Sequence, residues 1–302
     1  IPVRVEKQRD GFLVNTGAAD YIVGSGGSLI KEVRFNKQVL AKEGNSRGLY
    51  VIDQKGRTGK ASEKNASIKL ESSGPVSAVI RIEGDYITHD GEALARHITR
   101  LKFSAGRPEV EATHTLILTR DTNQVWFRDV GWEFETAVGD NPAALFSLSP
   151  VSSAKTMKVS LDGGKTANML QKKGVSFGLR PNPRYIYRWN RPEPSTQMAP
   201  YMHGRYESGI RVTGKGAPLY EGEAMGDWAA LEGKKAGFMV SCRDAAAQHP
   251  KEFEISQKKV NLKLFSSASG KELDFRMGAL IKNWGLNPLE KMDSYDKVPK
   301  NV

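Results

Sequence analysis

Residues Gly74–Leu118 read GPVSAVIRIEGDYITHDGEALARHITRLKFSAGRPEVEATHTLIL. Three segments of this stretch alternate apolar and polar residues with a period of two, which is typical of antiparallel strands with one buried face. They are Val76–Tyr86, Ala95–Phe103 and Glu109–Leu118, separated by turn sequences around His-Asp-Gly and Ala-Gly-Arg-Pro. The stretch therefore predicts a three-stranded meander.

The turns also predict which residues of the meander face each other. Two-residue loops at Gly106–Arg107 and at His89–Asp90 give the following cross-strand pairs: Phe103 with Val110, Leu101 with Ala112, Lys102 with Glu111, Ile82 with His97, Ile80 with Thr99, and Glu83 with Arg96. These pairs join mostly apolar residues or opposite charges, and each contributes roughly 0.2–1 kcal/mol.

The rest of the chain shows the same β pattern. Further strands are predicted at Phe12–Val14, Tyr21–Val23, Leu29–Phe35, Leu49–Asp53, Ser67–Glu71, Val125–Phe134, Met157–Leu161, Asn168–Gln171, Ala224–Leu231, Ala236–Cys242, Phe253–Gln257 and Val260–Phe265. Asp162–Lys165 predicts a hairpin turn, and Gly139–Pro150 predicts a loop. We expect an all-β protein, with two large antiparallel sheets packed face to face in one domain over residues 1–285 and an extended tail over 286–302.

Composition limits the partners and the compartment. The 302 residues carry a formal net charge of +11, which favours an anionic partner such as acidic polysaccharide. No nucleic-acid-binding motif and no apolar run long enough to cross a membrane is present. The single cysteine, Cys242, excludes a disulfide framework and is predicted to be a core residue. No metal-ligand spacing is found, and no cofactor is expected. Since the chain begins at Ile1, we expect a processed or excised piece.

The segment Arg180–Ser208 departs from the strand pattern and carries the candidate chemistry. Its aromatic rings could stack on sugars and its guanidinium groups could bind carboxylates. A lyase acting on uronates needs a cation to neutralise the carboxylate, a base and an acid, which Arg with Tyr or His can supply. The predicted catalytic residues are Arg188, His203 and Tyr206. The predicted sugar contacts are Arg184, Tyr187, Trp189, Arg191, Tyr201, Arg205 and, further along the chain, Trp228. The alternative is that this segment packs on the sheet or forms a protein contact.

Two histidines of the meander are a second candidate. His97 and His114 fall on apolar strand faces, where they could hold a metal or act as a base. The alternative, which is commoner for a histidine on an apolar face, is a pair of core side chains with satisfied hydrogen bonds.

The order of four motifs resembles the central β-sandwich of the exo-acting rhamnogalacturonan lyase family. They are SGPVSAVIRIEGDY, HDGEALARHITRLKFSAGRPEVEATHTLIL, FRDVGWEFE and GDWAALEGKKAGFMVSCRDAAAQHPKEFEI. The resemblance implies a galactose-mutarotase-like supersandwich in a secreted, pectin-degrading protein. Family members look longer, with a β-barrel before this domain and a helical toroid after it. They also tend to carry aromatics after the Arg-Asp of the last motif, where this chain has Ala245–Ala247.

Three functions are consistent with these observations. The first is an extracellular carbohydrate-active domain that cleaves or binds acidic polysaccharide, with β-elimination at a uronate if it is active. The second is a non-catalytic subunit of a surface layer or filament that reuses the sandwich and self-associates into a homo-oligomer. The third is a sugar-binding module that has a groove but no base.

Overall fold

The computed structural model describes residues 2–149, 155–172, 210–214, 216–222, 225–274 and 276. The strands are β1 (Arg4–Gln8), β2 (Gly11–Asn15), β3 (Ala19–Gly24), β4 (Ile30–Phe35), β5 (Gln38–Lys42), β6 (Gly48–Asp53), β7 (Thr58–Ala61), β8 (Ser67–Ser73), β9 (Ser77–Ile87), β10 (Ala93–Ser104), β11 (Val110–Ile117), β12 (Phe127–Thr136), β13 (Ala143–Ser147), β14 (Thr156–Ser160), β15 (Thr166–Gln171), β16 (Ile210–Gly214), β17 (Ala217–Gly222), β18 (Trp228–Glu232), β19 (Gly237–Ser241), β20 (Glu252–Ser256) and β21 (Lys259–Ser266). Across these ranges there is no α-helix, and two short 3-10 turns lie at Ala245–Ala247 and Ser267–Ser269.

The large antiparallel sheet has 17 strands, and three branches of it meet at strand β12, which pairs with β5, β6 and β21. From β21 the sheet continues through β20, β15 and β16 to β17. From β6 it continues through β7 to the meander β9–β10–β11, with β8 also paired to β9. From β5 it runs back through β4, β3 and β2 to β1.

A second sheet of four strands, in the order β14–β13–β18–β19, packs against the large one. Phe134 of β12 contacts Phe238 of β19 with ring centroids 5.4 Å apart, and Trp132 stacks on Phe134 at 5.3 Å. Elsewhere in the core, Tyr21 of β3 packs on Phe103 of β10 at 5.1 Å. The predicted all-β fold with antiparallel sheets is therefore confirmed. The predicted boundary of the tail at 286–302 lies outside the described residues.

The predicted meander is confirmed as β9, β10 and β11, and so is the register of its second turn. Phe103 faces Val110 and Lys102 faces Glu111. The register of the first turn is wrong by two residues, since Ile82 faces Thr99 instead of His97. The turn is longer than a two-residue loop: the backbone N–H of Thr88 donates to the carbonyl of Glu92, and the register is irregular between Ala93 and Ala95. A shift of two keeps every side chain on its predicted face.

Two other local predictions are wrong. The strands on either side of Asp162–Lys165 do not form a hairpin, because β14 pairs with β13 in the small sheet whereas β15 pairs with β16 and β20 in the large one. Turn residues fix only a local reversal of the chain, and here the chain crosses between sheets. The predicted loop Gly139–Pro150 contains strand β13, in which Ala144 and Phe146 are fully buried. The strand was missed because alanine has a low propensity for β structure.

No helix in the described part of the chain is long and apolar enough to cross a membrane.

Candidate functional site

Nearly all the predicted site residues lie outside the described residues, so their roles stay predictions. This holds for Arg184, Tyr187, Arg188, Trp189, Arg191, Tyr201, His203, Arg205 and Tyr206. Trp228 is described: it opens β18 in the small sheet, opposite Ser241 of β19, and is half-buried.

The large sheet carries a polar network that the sequence did not predict. Glu133 lies between Trp132 and Phe134 in β12, so its side chain points to the face opposite the aromatic core. The register places Glu133 beside Asn261 of β21, and Asn261 beside Glu254 of β20. We call this set the polar face; its members are Arg47, Tyr50, Glu133, Asn168, Glu252, Glu254, Lys259, Asn261 and Lys263.

One end of the polar face is built on Glu133, which is 4% exposed. The Arg47 guanidinium contacts this carboxylate at 2.8 and 2.9 Å, the Arg47 backbone N–H donates to it at 2.8 Å, and Lys259 Nζ lies at 3.1 Å. Burial alone would raise the pKa of Glu133, but the Arg47 N–H and guanidinium together with Lys259 outweigh it and lower the pKa. The Arg47 and Lys259 side chains remain 31% and 37% exposed, so both cations are accessible from solvent.

The middle of the polar face is a buried tyrosine–asparagine pair. The Tyr50 hydroxyl donates to Asn261 Oδ1 at 3.2 Å and accepts from Asn261 Nδ2 at 3.1 Å. The Arg47 guanidinium lies over the Tyr50 ring, 4.2 Å from its centroid, which favours a cation–π contact. Burial raises the pKa of Tyr50 to about 12, despite the opposing effect of Arg47. Tyr50 therefore stays protonated at neutral pH and is suited to donate a hydrogen bond, not to act as a base.

The far end is an ion pair with little access to water. Lys263 Nζ lies 2.9 Å from Glu252 and 3.3 Å from Glu254, and Glu252 also accepts from Ser266 and from Asn168. Burial would lower the pKa of Lys263, but Glu252 and Glu254 outweigh it and raise the pKa. Burial would likewise raise the pKa of Glu252, but Lys263 and the hydrogen bonds lower it. Both groups are charged, and this end holds strands β20 and β21 together.

The exposed end of the polar face is the part that can meet a ligand. A ligand carboxylate could share Arg47 and Lys259 with Glu133, because guanidinium and ammonium groups bind carboxylates by charge-assisted hydrogen bonds. Sequence analysis missed these residues because they come from distant parts of the chain. The available signal was a glutamate between two core aromatics, in the run Trp132–Phe134, which predicts a buried charge with partners.

The two predicted histidines are close together, with ring centroids 6.1 Å apart. Thr99 Oγ1 lies 3.2 Å from Nδ1 of His97 and 3.0 Å from Nδ1 of His114, and the Tyr86 hydroxyl lies 3.1 Å from Nε2 of His114. Burial lowers the pKa of His97 to about 4 and that of His114 to about 3, so both rings are neutral. The arrangement is that of core histidines joined by hydrogen bonds. Among the described residues, His97 Nε2 has no hydrogen-bond partner.

A metal centre is not formed in the described ranges, where no group of three or more His, Cys, Asp or Glu side chains is placed to hold an ion.

The three alanines after the Arg-Asp motif form a 3-10 turn, and two of them are buried: Ala245 is fully buried and Ala246 is 3% exposed. The Asp227 carboxylate accepts from the Ala245 backbone N–H at 3.0 Å, and Gln171 donates to the Ala246 carbonyl at 2.8 Å. Ala245 and Ala246 are therefore packed into a corner of the core, and their side chains offer no surface for a sugar.

Comparison with known proteins gives matches over part of the chain, to a domain family and to a bacterial protein. Residues 3–143 match the PcRGLX-like protein central beta sandwich domain, which is the central domain of the rhamnogalacturonan exolyase family. The resemblance predicted from the motifs is thus confirmed over β1–β12. The chain is also 34% identical over 74 residues to the uncharacterized protein YetA of Bacillus subtilis strain 168. That match spans 24% of this chain and only 9% of the relative.

Proposed function

We propose that this chain is an extracellular carbohydrate-active domain that binds acidic polysaccharide of the rhamnogalacturonan type. The observation that carries the proposal is the match of residues 3–143 to the central sandwich of PcRGLX-like proteins. The net charge of +11 favours a polyanionic partner, and Arg47 and Lys259 are accessible cations on a polar face of that sandwich.

Cleavage, if it occurs, is a β-elimination next to a uronate. A cation neutralises the carboxylate and so acidifies the adjacent C–H, a base takes that proton, the C–O bond to the leaving sugar breaks, and an acid protonates the departing oxygen. Arg188 is our candidate for the cation, and His203 and Tyr206 are our candidates for base and acid. The remaining predicted contacts, from Arg184 to Trp228, are candidate sugar-binding residues.

The test measures binding and cleavage separately on the full chain. Binding to rhamnogalacturonan and to polygalacturonate is followed by affinity electrophoresis and calorimetry, with neutral galactan as the control polymer. Cleavage is followed by the ultraviolet absorbance of the unsaturated uronate that β-elimination leaves. Arg188→Ala and His203→Ala should abolish cleavage. Arg107→Ala, which removes an exposed arginine from the turn between β10 and β11, should not.

The outcomes distinguish the three functions. Binding with cleavage that is lost in Arg188→Ala supports a lyase, and binding without cleavage supports a binding module of the same class. No binding to either acidic polymer overturns the proposal. In that case a large, regular assembly in sedimentation would indicate the structural subunit that self-associates.

A further inference from the structure

Three cations lie directly opposite one another on the outer face of the meander. The register pairs Lys69 of β8 with Arg81 of β9, and Arg81 with Arg100 of β10. Side chains in directly opposite positions lie about 4.5–5.5 Å apart at Cβ, and like charges there are destabilising. A row of three such residues therefore raises the electrostatic free energy of the folded sheet, and we call it the cation row.

Carboxylates on the same face neutralise only part of this row. Arg100 binds Glu71 through two contacts, at 2.7 and 3.1 Å, and Arg81 binds Glu83 at 2.9 Å. Lys69 is exposed and has no ion pair or hydrogen bond with any residue in the described ranges. Within the same ranges, the buried Nε–H of Arg81 also has no hydrogen-bond partner. Among these three cations, Lys69 is thus the one whose charge is open to a ligand from solvent.

The neighbouring positions extend the row into a mixed surface. Arg96 and Lys102 lie on the same face of β10 as Arg100, and they pair with Asp85 and Glu111. Hydroxyl groups also border the row, since Thr113 of β11 lies opposite Arg100. The surface thus combines a row of three cations, two of which pair with carboxylates, with further carboxylates and hydroxyl groups at its sides.

We propose that the cation row binds an acidic polysaccharide chain that crosses the strands β8, β9 and β10. Strands are spaced about 4.8 Å apart, so the row offers cationic groups over roughly 10 Å in a line, which suits an extended polymer. Lys69 can bind a carboxylate of the polymer directly, the two arginines of the row add positive charge along the line, and the hydroxyls of Thr113 and of the sugar can exchange hydrogen bonds. The acidic residues beside the row disfavour a polymer as densely charged as nucleic acid. This inference rests on the proposed function for its ligand class, but it locates binding on strands β8, β9 and β10, whereas Arg47 directly precedes β6 and Lys259 lies in β21.

The experiment measures how substitutions in the cation row change two quantities, the free energy of unfolding and the affinity for polygalacturonate. Lys69→Glu replaces a like-charge contact with an attractive one to Arg81, so the free energy of unfolding should stay the same or rise. Binding to polygalacturonate should nevertheless weaken about tenfold at low salt, and the difference should shrink as salt is added. Arg81→Gln should weaken binding in the same way. The control is Lys234→Glu, which makes the same charge change at an exposed turn of the small sheet and should leave binding unchanged.

Failure of this inference is distinct from failure of the proposed function. If the native chain binds polygalacturonate and both Lys69→Glu and Arg81→Gln bind it equally well, the cation row is not the site and the proposed function stands. If the native chain binds no acidic polysaccharide, both are overturned. If the variants lose affinity for duplex DNA but keep it for polygalacturonate, the assignment to polysaccharide is wrong.

Discussion

The Thr99 hydroxyl lies between Nδ1 of His97, at 3.2 Å, and Nδ1 of His114, at 3.0 Å. A threonine hydroxyl has one hydrogen and can accept two, so it can join both rings at once. The Tyr86 hydroxyl, 3.1 Å from Nε2 of His114, extends this chain of hydrogen bonds. The chain lies in a buried setting that favours the neutral form of both rings.

The first prediction is that the domain loses stability in mild acid. The unfolded chain binds protons on its histidines near pH 6.5, whereas the folded pKa is about 4 for His97 and about 3 for His114. Because the unfolded state binds more protons, the free energy of unfolding should fall as the pH drops from about 6.5 towards 4, and continue to fall towards 3.

Urea unfolding at a series of pH values measures this slope. The double variant His97→Gln, His114→Gln should show a flatter slope, even if it is less stable at neutral pH. His89→Gln, which removes an exposed histidine from the β9–β10 turn, should leave the slope unchanged. A native slope equal to that of the double variant would contradict the prediction.

The second prediction concerns the buried end of the polar face. Lys263→Met leaves the Glu252 carboxylate, which is 2% exposed, without its counter-ion and should reduce the free energy of unfolding by about 3–5 kcal/mol. Adding Glu252→Gln to this variant should restore part of the loss. Lys158→Met breaks a pair of similar length with Glu232, but both side chains are about half exposed or more, so it should cost about 1 kcal/mol or less. If Lys263→Met and Lys158→Met lose equal free energies of unfolding in chemical denaturation, the buried pair has no special role in stability.

The third prediction follows from the position of Ala245. Ala245 is fully buried, so Ala245→Phe should overpack the core and cost about 1–3 kcal/mol or more. Ala217→Phe, at an exposed position of β17, should change stability little. Thermal unfolding checks both, and a neutral Ala245→Phe would mean that this corner has room for a sugar platform.

Alternation of apolar and polar residues was sufficient to predict the faces of the meander but not its pairing. The predicted register joined Glu83 to Arg96, and the observed register instead places Arg81 opposite Arg100. A slip of two residues keeps the faces, so burial cannot distinguish the two registers. Only the length of the Thr88–Glu92 turn decides, and its sequence fits more than one loop length. The cation row was therefore hidden from sequence analysis.

The polar face could not be predicted for a different reason. Tyr50, Glu133 and Asn261 come from three strands separated by long stretches of chain, and no local pattern links them. The local sequence feature that indicated a buried charge was the position of Glu133 between two core aromatic residues. The segment Arg180–Ser208 was selected by composition, which indicates a ligand class but cannot show which side chains meet.

The last prediction tests the middle of the polar face through Gly131. A Cβ at this position would lie 2.5 Å from the Tyr50 hydroxyl oxygen and 2.6 Å from Cζ, so Gly131→Ala must displace the Tyr50 ring from Asn261. The expected loss is about 1–3 kcal/mol in chemical denaturation. Affinity for polygalacturonate should fall if Arg47, which stacks on that ring, contributes to binding. Gly237→Ala is the control, because its Cβ would meet only the Leu231 carbonyl oxygen, at 3.7 Å. Equal stability of the two variants would mean that Tyr50 can move without loss, and that the buried tyrosine–asparagine pair does not hold Arg47 in place.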